Sequence, residues 1–323
     1  MPNAIVVHET GGPEQLRFEA QDPGAPGPGQ VRVRVRAVGV NFIDVYFRTG
    51  LYPRPLPFTA GLEGAGVVEA VGSDVEEFDR GDRVAWSTAP GSYAEVVVAP
   101  ASSLVSVPDD IGDETAAAAM LQGMTAHYLV HSTRVTQSGD VALVHAGAGG
   151  VGLLLVQMLK NCGARVIATC STPEKEELAR SAGADEVVLY TQDDFVEAVA
   201  ELTAGRGCDV VYDSVGQSTF EGSLKSLRPR GLLALYGQSS GAVPPLDLQQ
   251  LNNLGSLFVT RPSLAHYTAS RDELEERAEA VFQAIGAGRL RVRVGATFAL
   301  EKASEAHRAL EGRQTTGKVL LLP

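Results

Sequence analysis

The sequence is short of cysteine and of long apolar runs, and each shortage excludes a class of protein. Its three cysteines, Cys162, Cys170 and Cys208, are an odd and sparse set, which favours reduced thiols in a cytoplasmic protein over a disulfide framework. Their spacing matches no zinc pattern, so no metal site is predicted. Apolar stretches such as residues 153–159 fall well short of the roughly 20 residues that a membrane helix needs.

Positive charge is also scarce. The chain has 27 Lys and Arg residues against 39 Asp and Glu residues, for a formal net charge of −12. No basic stretch is present, and this disfavours nucleic-acid binding. The first residues, Met1-Pro2-Asn3-Ala4, lack the basic segment and apolar core of a secretory signal. We therefore expect a cytoplasmic location and no membrane partner.

The first part of the chain is rich in predicted β-strands. The whole chain has 323 residues, which is longer than a typical single domain, so two domains are expected. Residues 31–36 alternate strictly between Val and Arg, which predicts a half-buried strand with a solvated arginine face. Residues 64–72 and 81–85 are further short strands between glycine turns. Closely spaced short strands predict a barrel-like β domain in residues 1–125.

From residue 140 to about 260, strand-like runs alternate with helical segments, which predicts an α/β domain with a parallel sheet covered by helices. Phe195, Val199 and Leu202 share one predicted helix face, and Phe220, Leu224 and Leu227 share another. The last 60 or so residues contain further helices and a closing strand at 317–321. The predicted strands of the middle region are residues 141–144, 165–169, 186–189, 210–212 and 232–236.

The strongest motif is Gly147-Ala148-Gly149-Gly150-Val151-Gly152, which fits the G-x-G-x-x-G pattern. A buried strand precedes it and an amphipathic helix follows it, which is the context that a dinucleotide site requires. The glycines permit a tight turn and a close approach of the backbone to a pyrophosphate. The helix N-terminus then offers N–H groups to the phosphate charge.

The end of the second strand indicates which dinucleotide binds. Enzymes that use NAD place an Asp or Glu there for the ribose 2′-hydroxyl, but this chain has Cys170-Ser171-Thr172. Ser171 and Thr172 can hydrogen-bond a phosphate, and Lys175 would attract one. Glu174 would oppose a 2′-phosphate if it pointed inward, although its neighbours indicate a solvated helix start. NADPH is therefore the expected cofactor.

Polar and glycine-rich segments follow the later strands as well. Residues 213–216 and 237–241 each follow a strand, and Tyr190 ends another. The carboxyl ends of parallel strands line the ligand crevice of an open α/β sheet. We expect these segments to lie along the same nucleotide, with Tyr190 near the adenosine.

Several motifs together form a family pattern: residues 139–152 with Gln157 and Lys160, and residues 41–44, 46, 48–53, 61–64, 213–216 and 259–263. In these motifs the chain resembles the zinc-free quinone oxidoreductases and ζ-crystallins of the medium-chain dehydrogenase/reductase superfamily, over essentially its whole length. The resemblance implies a GroES-like catalytic domain formed by residues 1–125 and 262–323, a Rossmann NADPH-binding domain at residues 126–261, and a homodimer. Zinc-dependent relatives carry Gly-His-Glu where this chain has Gly61-Leu62-Glu63, and leucine cannot bind a metal.

The resemblance also implies site residues. Asn41, Tyr46 and Tyr52 are expected to line the nicotinamide pocket as catalytic residues, with Asn41 able to donate a hydrogen bond to a developing oxyanion and the tyrosines able to pack on a flat ring. The full set of expected cofactor contacts is Asn41, Phe42, Ile43, Asp44, Tyr46, Thr125, Tyr128, Gly147, Gly149, Gly150, Val151, Gly152, Ser171, Thr172, Lys175, Tyr190, Ser214, Val215, Gly237, Ser239, Ser240, Gly241, Ala242, Phe258, Val259, Thr260 and Arg313.

These residues favour metal-independent reduction of a quinone by NADPH. Without a metal ligand set there is no Lewis acid to polarise an alcohol, whereas a quinone accepts hydride readily once the cofactor is oriented against it. Two alternatives stay open. One is an NADPH-dependent reductase of activated alkenes or alkenals. The other is a non-enzymatic nucleotide-binding protein of the crystallin or RNA-binding kind, which the acidic charge disfavours.

Overall fold

Residues 1–124 and 268–323 fold together as one unit, and residues 125–267 form a second. The computed structural model describes all 323 residues. The strands are β1 (Asn3–Val7), β2 (Arg17–Ala20), β3 (Gln30–Val40), β4 (Phe58–Thr59), β5 (Glu63–Val71), β6 (Arg83–Trp86), β7 (Val96–Pro100), β8 (Val105–Ser106), β9 (Val141–Val144), β10 (Arg165–Cys170), β11 (Glu186–Leu189), β12 (Cys208–Asp213), β13 (Leu227–Leu235), β14 (Phe258–Thr260), β15 (Val294–Ala299) and β16 (Lys318–Leu322).

Helices connect most of the strands of the second unit and flank those of the first. None of them combines the length and the apolar character that crossing a membrane would require. The helices are α1 (Phe42–Arg48), α2 (Asp113–Tyr128), α3 (Gly150–Asn161), α4 (Pro173–Ser181), α5 (Phe195–Leu202), α6 (Phe220–Lys225), α7 (Leu248–Asn253), α8 (Leu264–Tyr267), α9 (Arg271–Gly286) and α10 (Ala303–Glu311).

The first unit, which we call the catalytic unit, is built on two sheets. One has the order β2-β1-β4. The other has the order β15-β16-β3-β5-β6-β8, with β7 also paired to β3. The alternation of β3 produces its two faces: Val31 and Val33 are completely buried, whereas Arg32 and Arg34 both pair with the Glu69 carboxylate. The predicted strand is confirmed, and two of the three arginines on its exposed face, Arg32 and Arg34, form ion pairs.

The second unit, which we call the nucleotide unit, contains one sheet of six strands in the order β11-β10-β9-β12-β13-β14. All neighbouring strands are parallel, as the alternation of strands and helices predicts. The order reverses between β9 and β12, which is the switch point of a doubly wound sheet. The predicted α/β class and the predicted GroES-like unit are both confirmed.

The prediction that Leu227 lies on the same helix as Phe220 and Leu224 is wrong. Phe220 and Leu224 are buried on α6 as expected, but this helix ends at Lys225 and Leu227 begins β13. Leu227 still packs in the same core as Phe220 and Leu224. An apolar residue at the next helical position has the same burial whether it continues the helix or starts a strand, so periodicity could not separate the two.

Candidate functional site

The carboxyl edge of the nucleotide unit's sheet carries the glycine motif. β9 ends at Val144, Ala146 adopts a left-handed backbone with φ 53°, and α3 begins at Gly150 with Gly149 as its N-cap. A Cβ on Gly147 would lie 2.7 Å from the Ala168 Cβ on β10, and one on Gly152 would lie 2.2 Å from the Ala146 carbonyl oxygen. The first and last motif glycines are therefore required for close packing of turn, strand and helix.

At the end of β10 the chain passes through Ser171 into α4. The Thr172 hydroxyl caps this helix by accepting from the Lys175 N–H at 3.4 Å. Glu174 is exposed, and hydrogen bonds from its own N–H and from the Thr172 hydroxyl lower the pKa of its carboxyl. The Thr172 hydroxyl is thus engaged in capping and with Glu174. The hydroxyl of Ser171 and the cationic side chain of Lys175 are the groups at this strand end whose chemistry suits an anion.

The turn after β12 is organised by the buried Asp213 carboxylate, a role that its position in a predicted loop did not reveal. Asp213 Oδ1 accepts from the N–H groups of Val215 and Gly216 at 2.8 and 3.0 Å, and Oδ2 accepts from the Ser223 hydroxyl at 2.8 Å. Behind it the buried His145 ring joins Ser223 and Thr169, at 3.0 Å each. These polar groups hold the turn; His145 is a core residue.

The loop after β13 lies directly against that turn. The Ser240 hydroxyl donates to the Val215 carbonyl at 2.7 Å and accepts from the Ser218 N–H at 3.0 Å. A Cβ on Gly237 would meet the Ser214 carbonyl oxygen at 2.5 Å. The structure therefore brings these two predicted segments together, beside the glycine turn at the same edge of the sheet.

The other predicted contacts of the nucleotide unit have varied surroundings. Tyr190 is exposed at the end of β11, while Phe258 is 61% exposed on β14 with Val259 and Thr260 partly buried beside it. Tyr128 is fully buried and stacks on Tyr267, with ring centroids 4.3 Å apart.

Three further predicted contacts differ in exposure. Thr125 is buried in the nucleotide unit, and Ala242 is exposed beyond the loop that follows β13. Arg313 lies in the catalytic unit, exposed in the turn after α10, with a left-handed φ of 55°.

In the catalytic unit, α1 and the turn after it hold an aromatic cluster. Tyr46 lies between Phe42 and Tyr52, with ring centroids 6.3 and 5.2 Å away. The Tyr52 N–H donates to the Tyr46 carbonyl at 3.0 Å, which fixes the turn against the helix. The two tyrosines expected to line the nicotinamide pocket are therefore neighbours, and Tyr46 is mostly buried.

Asn41 is surrounded by a buried polar network. Its Nδ2 donates to Glu63 Oε2 at 2.7 Å and to the Gly39 carbonyl at 3.3 Å. Its Oδ1 accepts from Lys318 Nζ at 2.8 Å and from Gln122 at 3.3 Å. Both amide protons thus already have acceptors. The expected donation from Asn41 to an oxyanion would require one of these bonds to break.

Lys318 and Glu63 form an ion pair in the same network. Both side chains are almost completely inaccessible to solvent. Burial lowers the pKa of Lys318, and the adjacent Glu63 carboxylate acts in the opposite direction. The other Glu63 oxygen, Oε1, accepts from the Leu121 N–H on α2 at 2.6 Å, so every polar group of the pair has a partner.

A second buried chain of polar groups runs from Asp44. Tyr93 donates its hydroxyl proton to Asp44 Oδ2 at 2.9 Å, and the other side of that hydroxyl meets His307 Nε2 at 3.0 Å. Arg48 approaches His307 Nδ1 at 3.5 Å and pairs with Glu311. Burial raises the pKa of Asp44 to about 7. Burial, with the Arg48 charge, lowers the pKa of His307 to about 3.

Sequence reasoning missed Lys318, Gln122, Tyr93 and His307. Lys318 had a usable signal, because it stands in the otherwise apolar strand 318–322 and lysine is almost never fully buried without a partner. The remaining three residues lie in segments with no distinguishing pattern. Their roles depend on partners far away in the chain.

The position where zinc-dependent relatives carry a histidine is Leu62, between Gly61 and Glu63. No three His, Cys, Asp or Glu side chains in the structure are grouped so that they could hold a metal ion. The nearby Glu63 carboxylate is instead bound by Lys318, Asn41 and Leu121, as described above.

Comparisons with known proteins agree with this architecture. The alcohol dehydrogenase GroES-like domain family matches residues 27–109, and the zinc-binding dehydrogenase family matches residues 150–285. A quinone oxidoreductase from Pseudomonas aeruginosa is 48% identical over 325 residues, covering 100% of both chains. A 2-haloacrylate reductase from a Burkholderia species is 46% identical, covering 100% of this chain and 99% of that protein.

Solved structures extend the comparison to the fold. The crystal structure of an Escherichia coli quinone oxidoreductase complexed with NADPH superimposes with a TM-score of 0.98 at 42% identity, covering 99% of this chain and 100% of the other. Identity of this level over the full length, in sequence and in structure, establishes common ancestry. The chain belongs to the zinc-free quinone oxidoreductase family of medium-chain dehydrogenases/reductases.

Proposed function

We propose that this protein is an NADPH:quinone oxidoreductase that works without a metal ion. The observation that carries the proposal is the full-length match to quinone oxidoreductases, one of them solved with NADPH. The polar and glycine-rich edge of the parallel sheet suits such a cofactor, and Gly147 and Gly152 allow the turn to pack closely against β10 and α3 at this edge. The α3 N-terminus that follows suits a pyrophosphate.

The cofactor's ribose end is held by the segment after β10. No carboxylate follows that strand directly, and the exposed Glu174 carboxyl is hydrogen-bonded to Thr172. Ser171 can donate to a 2′-phosphate, and Lys175 supplies the opposite charge. The adenosine lies by Tyr190. The loops at Ser214–Val215 and Gly237–Ala242, with Phe258–Thr260, Thr125, Tyr128 and Arg313, complete the proposed contacts.

NADPH supplies the hydride, and the protein supplies orientation and a suitable environment. Phe42, Ile43, Asp44 and Tyr46 on α1 are proposed to contact the nicotinamide end. Tyr46 and Tyr52 offer flat faces that hold a planar acceptor and exclude water. Asn41, tied to Glu63 and Lys318, fixes the start of α1 and thereby positions Tyr46.

Reduction of an activated alkene is the second candidate. It is favoured by the 46% identity to a protein named 2-haloacrylate reductase. The same hydride geometry would serve, with a different acceptor. A purely binding role, as in a crystallin or an RNA-binding protein, would leave NADPH unconsumed.

We further propose that the protein is a cytoplasmic homodimer. The cysteines are all free, in keeping with a reducing compartment. β14 is the edge strand of its sheet and has a single neighbour, β13. An unpaired edge that displays the 61% exposed Phe258 is suited to pairing with a second copy.

The deciding experiment is NADPH oxidation against a panel of 1,4-benzoquinone, larger naphthoquinones, 2-alkenals and 2-haloacrylates. NADH and a metal chelator serve as controls. Rapid, chelator-insensitive turnover of quinones with NADPH is expected. If only the alkenals or haloacrylates are reduced, the protein is instead a reductase of activated alkenes. NADPH binding without oxidation by any acceptor would refute an enzymatic role.

A further inference from the structure

Arg54 differs from the ion-paired arginines of the catalytic unit in what its guanidinium contacts. It follows Tyr52 and Pro53 in the turn after α1, and its side chain is partly buried. Its guanidinium carbon lies over two rings, 4.9 Å from the Phe58 centroid and 5.5 Å from the Phe47 centroid. No carboxylate oxygen lies within ion-pair distance. By contrast, Arg32, Arg34, Arg48, Arg83 and Arg271 all pair with carboxylates.

The guanidinium N–H groups of Arg54 therefore have no acceptor within the protein. A guanidinium has five N–H donors, and a contact with a ring face provides no acceptor atom for them. Burial lowers the pKa of Arg54. The negative charge of Asp44 acts in the opposite direction, although Asp44 is too far away to form an ion pair with Arg54. A partly desolvated cation of this kind gains most from a bound anion.

Arg54 also forms part of the wall of a cavity of about 270 Å³. The cavity lies within the catalytic unit, and its other walls come from β1, β4, β7 and the loop at Pro90–Gly91. Phe58, Pro90 and Val98 make much of this wall apolar, while Gln21 and Thr59 add a polar pair joined by a hydrogen bond of 3.0 Å. No lysine and no second arginine lines it.

We propose that this cavity binds a small monocarboxylate with an apolar, preferably aromatic, body. One guanidinium neutralises one carboxylate and can bind it through two parallel hydrogen bonds. A phosphate dianion would retain an uncompensated charge against apolar walls, which is costly. The volume is below the range of about 300–1,000 Å³ that is usual for drug-sized ligands, so the ligand is a single ring or a short chain.

The test uses the full-length protein and benzoate as the probe, with binding measured by titration calorimetry. Benzamide, which has the same shape without the charge, and inorganic phosphate serve as comparison ligands. The readout is the heat of binding, so its result is separate from any test of quinone reduction. Four variants complete the set: Arg54→Met, Arg54→Lys, Val98→Phe and the control Arg36→Met. Arg36 is an exposed arginine on β3 that does not line the cavity.

We expect benzoate to bind the natural protein and Arg36→Met equally, and to bind Arg54→Met about tenfold or more weakly. Arg54→Lys keeps the charge and loses the fork geometry, so a smaller loss of severalfold is expected. Val98→Phe keeps Arg54 and fills the cavity, and it should weaken binding as strongly as Arg54→Met. If Arg54→Met fails to fold, Arg54→Lys and Val98→Phe decide the question.

Three results would overturn the assignment. The first is the absence of benzoate binding at millimolar concentration. The second is binding that is unchanged in Arg54→Met or Val98→Phe, which would place the ligand elsewhere. The third is benzamide or phosphate binding as tightly as benzoate, which would remove the requirement for an apolar monocarboxylate.

Discussion

The buried pair of Lys318 and Glu63 shows how much of this protein depends on single side chains. Two charges taken out of water are stabilised only by each other and by hydrogen bonds, here from Asn41 and the Leu121 N–H. Such a pair adds little net stability compared with apolar residues, whereas loss of one partner is severe because the other charge stays buried. Its value here is that it fixes Asn41 at the start of α1.

This asymmetry predicts that Lys318→Met will lower the free energy of unfolding of the catalytic unit by about 3–5 kcal/mol. The double variant Glu63→Gln with Lys318→Met should recover a substantial part of that loss, because no unpaired charge remains. Trp86 is the only tryptophan and is buried in this unit, so its fluorescence during urea denaturation reports the change. A double variant less stable than Lys318→Met would contradict the argument.

Lys175 carries the second prediction for a single residue. Lys175→Glu should weaken NADPH binding about tenfold or more while changing NADH binding much less, because the new carboxylate would repel only the 2′-phosphate. Fluorescence titration with each cofactor measures both affinities. Lys302→Glu, an exposed lysine of the catalytic unit, is the charge-matched control. Equal losses for the two cofactors would remove the case for 2′-phosphate recognition.

Among the structural elements, the turn from β9 into α3 is the most constrained. The motif requires glycine for packing, since a Cβ at Gly152 would lie only 2.2 Å from the Ala146 carbonyl oxygen. This requirement was readable from the sequence, because the motif stands between a buried strand and an amphipathic helix. The same applies to β3, whose alternation sets its buried and exposed faces.

Gly152→Ala is therefore expected to displace α3 from the turn. We expect a loss of NADPH affinity of at least tenfold and a lower melting temperature, because backbone must move to admit the methyl group. Gly112→Ala is the matched control, since a Cβ at Gly112 meets nothing within 4 Å. It should change stability by no more than about 1 kcal/mol. Unaltered NADPH affinity in Gly152→Ala would show that the turn tolerates the shift.

At the scale of the whole molecule, two buried groups of the catalytic unit give opposite pH dependences. Asp44 has its pKa raised from 3.8 to about 7, so the folded state holds its proton more tightly and stability is lost as pH rises from about 4 to 7. His307 has its pKa lowered from 6.5 to about 3, so stability is lost as pH falls from about 6.5 to 3. Between about pH 4 and 6.5 the two effects oppose each other.

Single variants should separate these effects. Asp44→Asn leaves the His307 effect, so its stability relative to the natural protein should rise with pH from about 4 to 6.5. His307→Gln leaves the Asp44 effect, so its relative stability should fall over the same range. One proton corresponds to at most about 1.4 kcal/mol per pH unit. Trp86 fluorescence in urea at several pH values measures both, and parallel pH profiles for the two variants would refute the assignment.

The proposed dimer gives the last prediction. Phe258→Asp places a charge on the β14 edge and should convert a dimer into a monomer in sedimentation velocity, because burying an unpaired carboxylate is costly. Val135→Asp is the matched control, since Val135 is also 61% exposed in the nucleotide unit and lies away from that strand. A dimer that survives Phe258→Asp would exclude pairing through this edge.

The sequence by itself determined the α/β class, the parallel sheet, the glycine turn and the absence of a histidine beside Glu63. Each of these follows from local patterns: periodicity, glycine spacing, or the chemistry of one side chain. Leu227 was predicted on the wrong element, but its burial was predicted correctly. The family resemblance likewise depended on short motifs that are continuous in the chain.

Only the tertiary structure decided what surrounds those motifs. Lys318 meets Glu63 and Asn41 across 255 and 277 residues, and Tyr93 meets His307 across 214. It also decided that Arg54 has no carboxylate partner. The physical reason is that burial, ion pairing and the resulting pKa shifts depend on distance in space, and packing brings together residues that no local pattern relates.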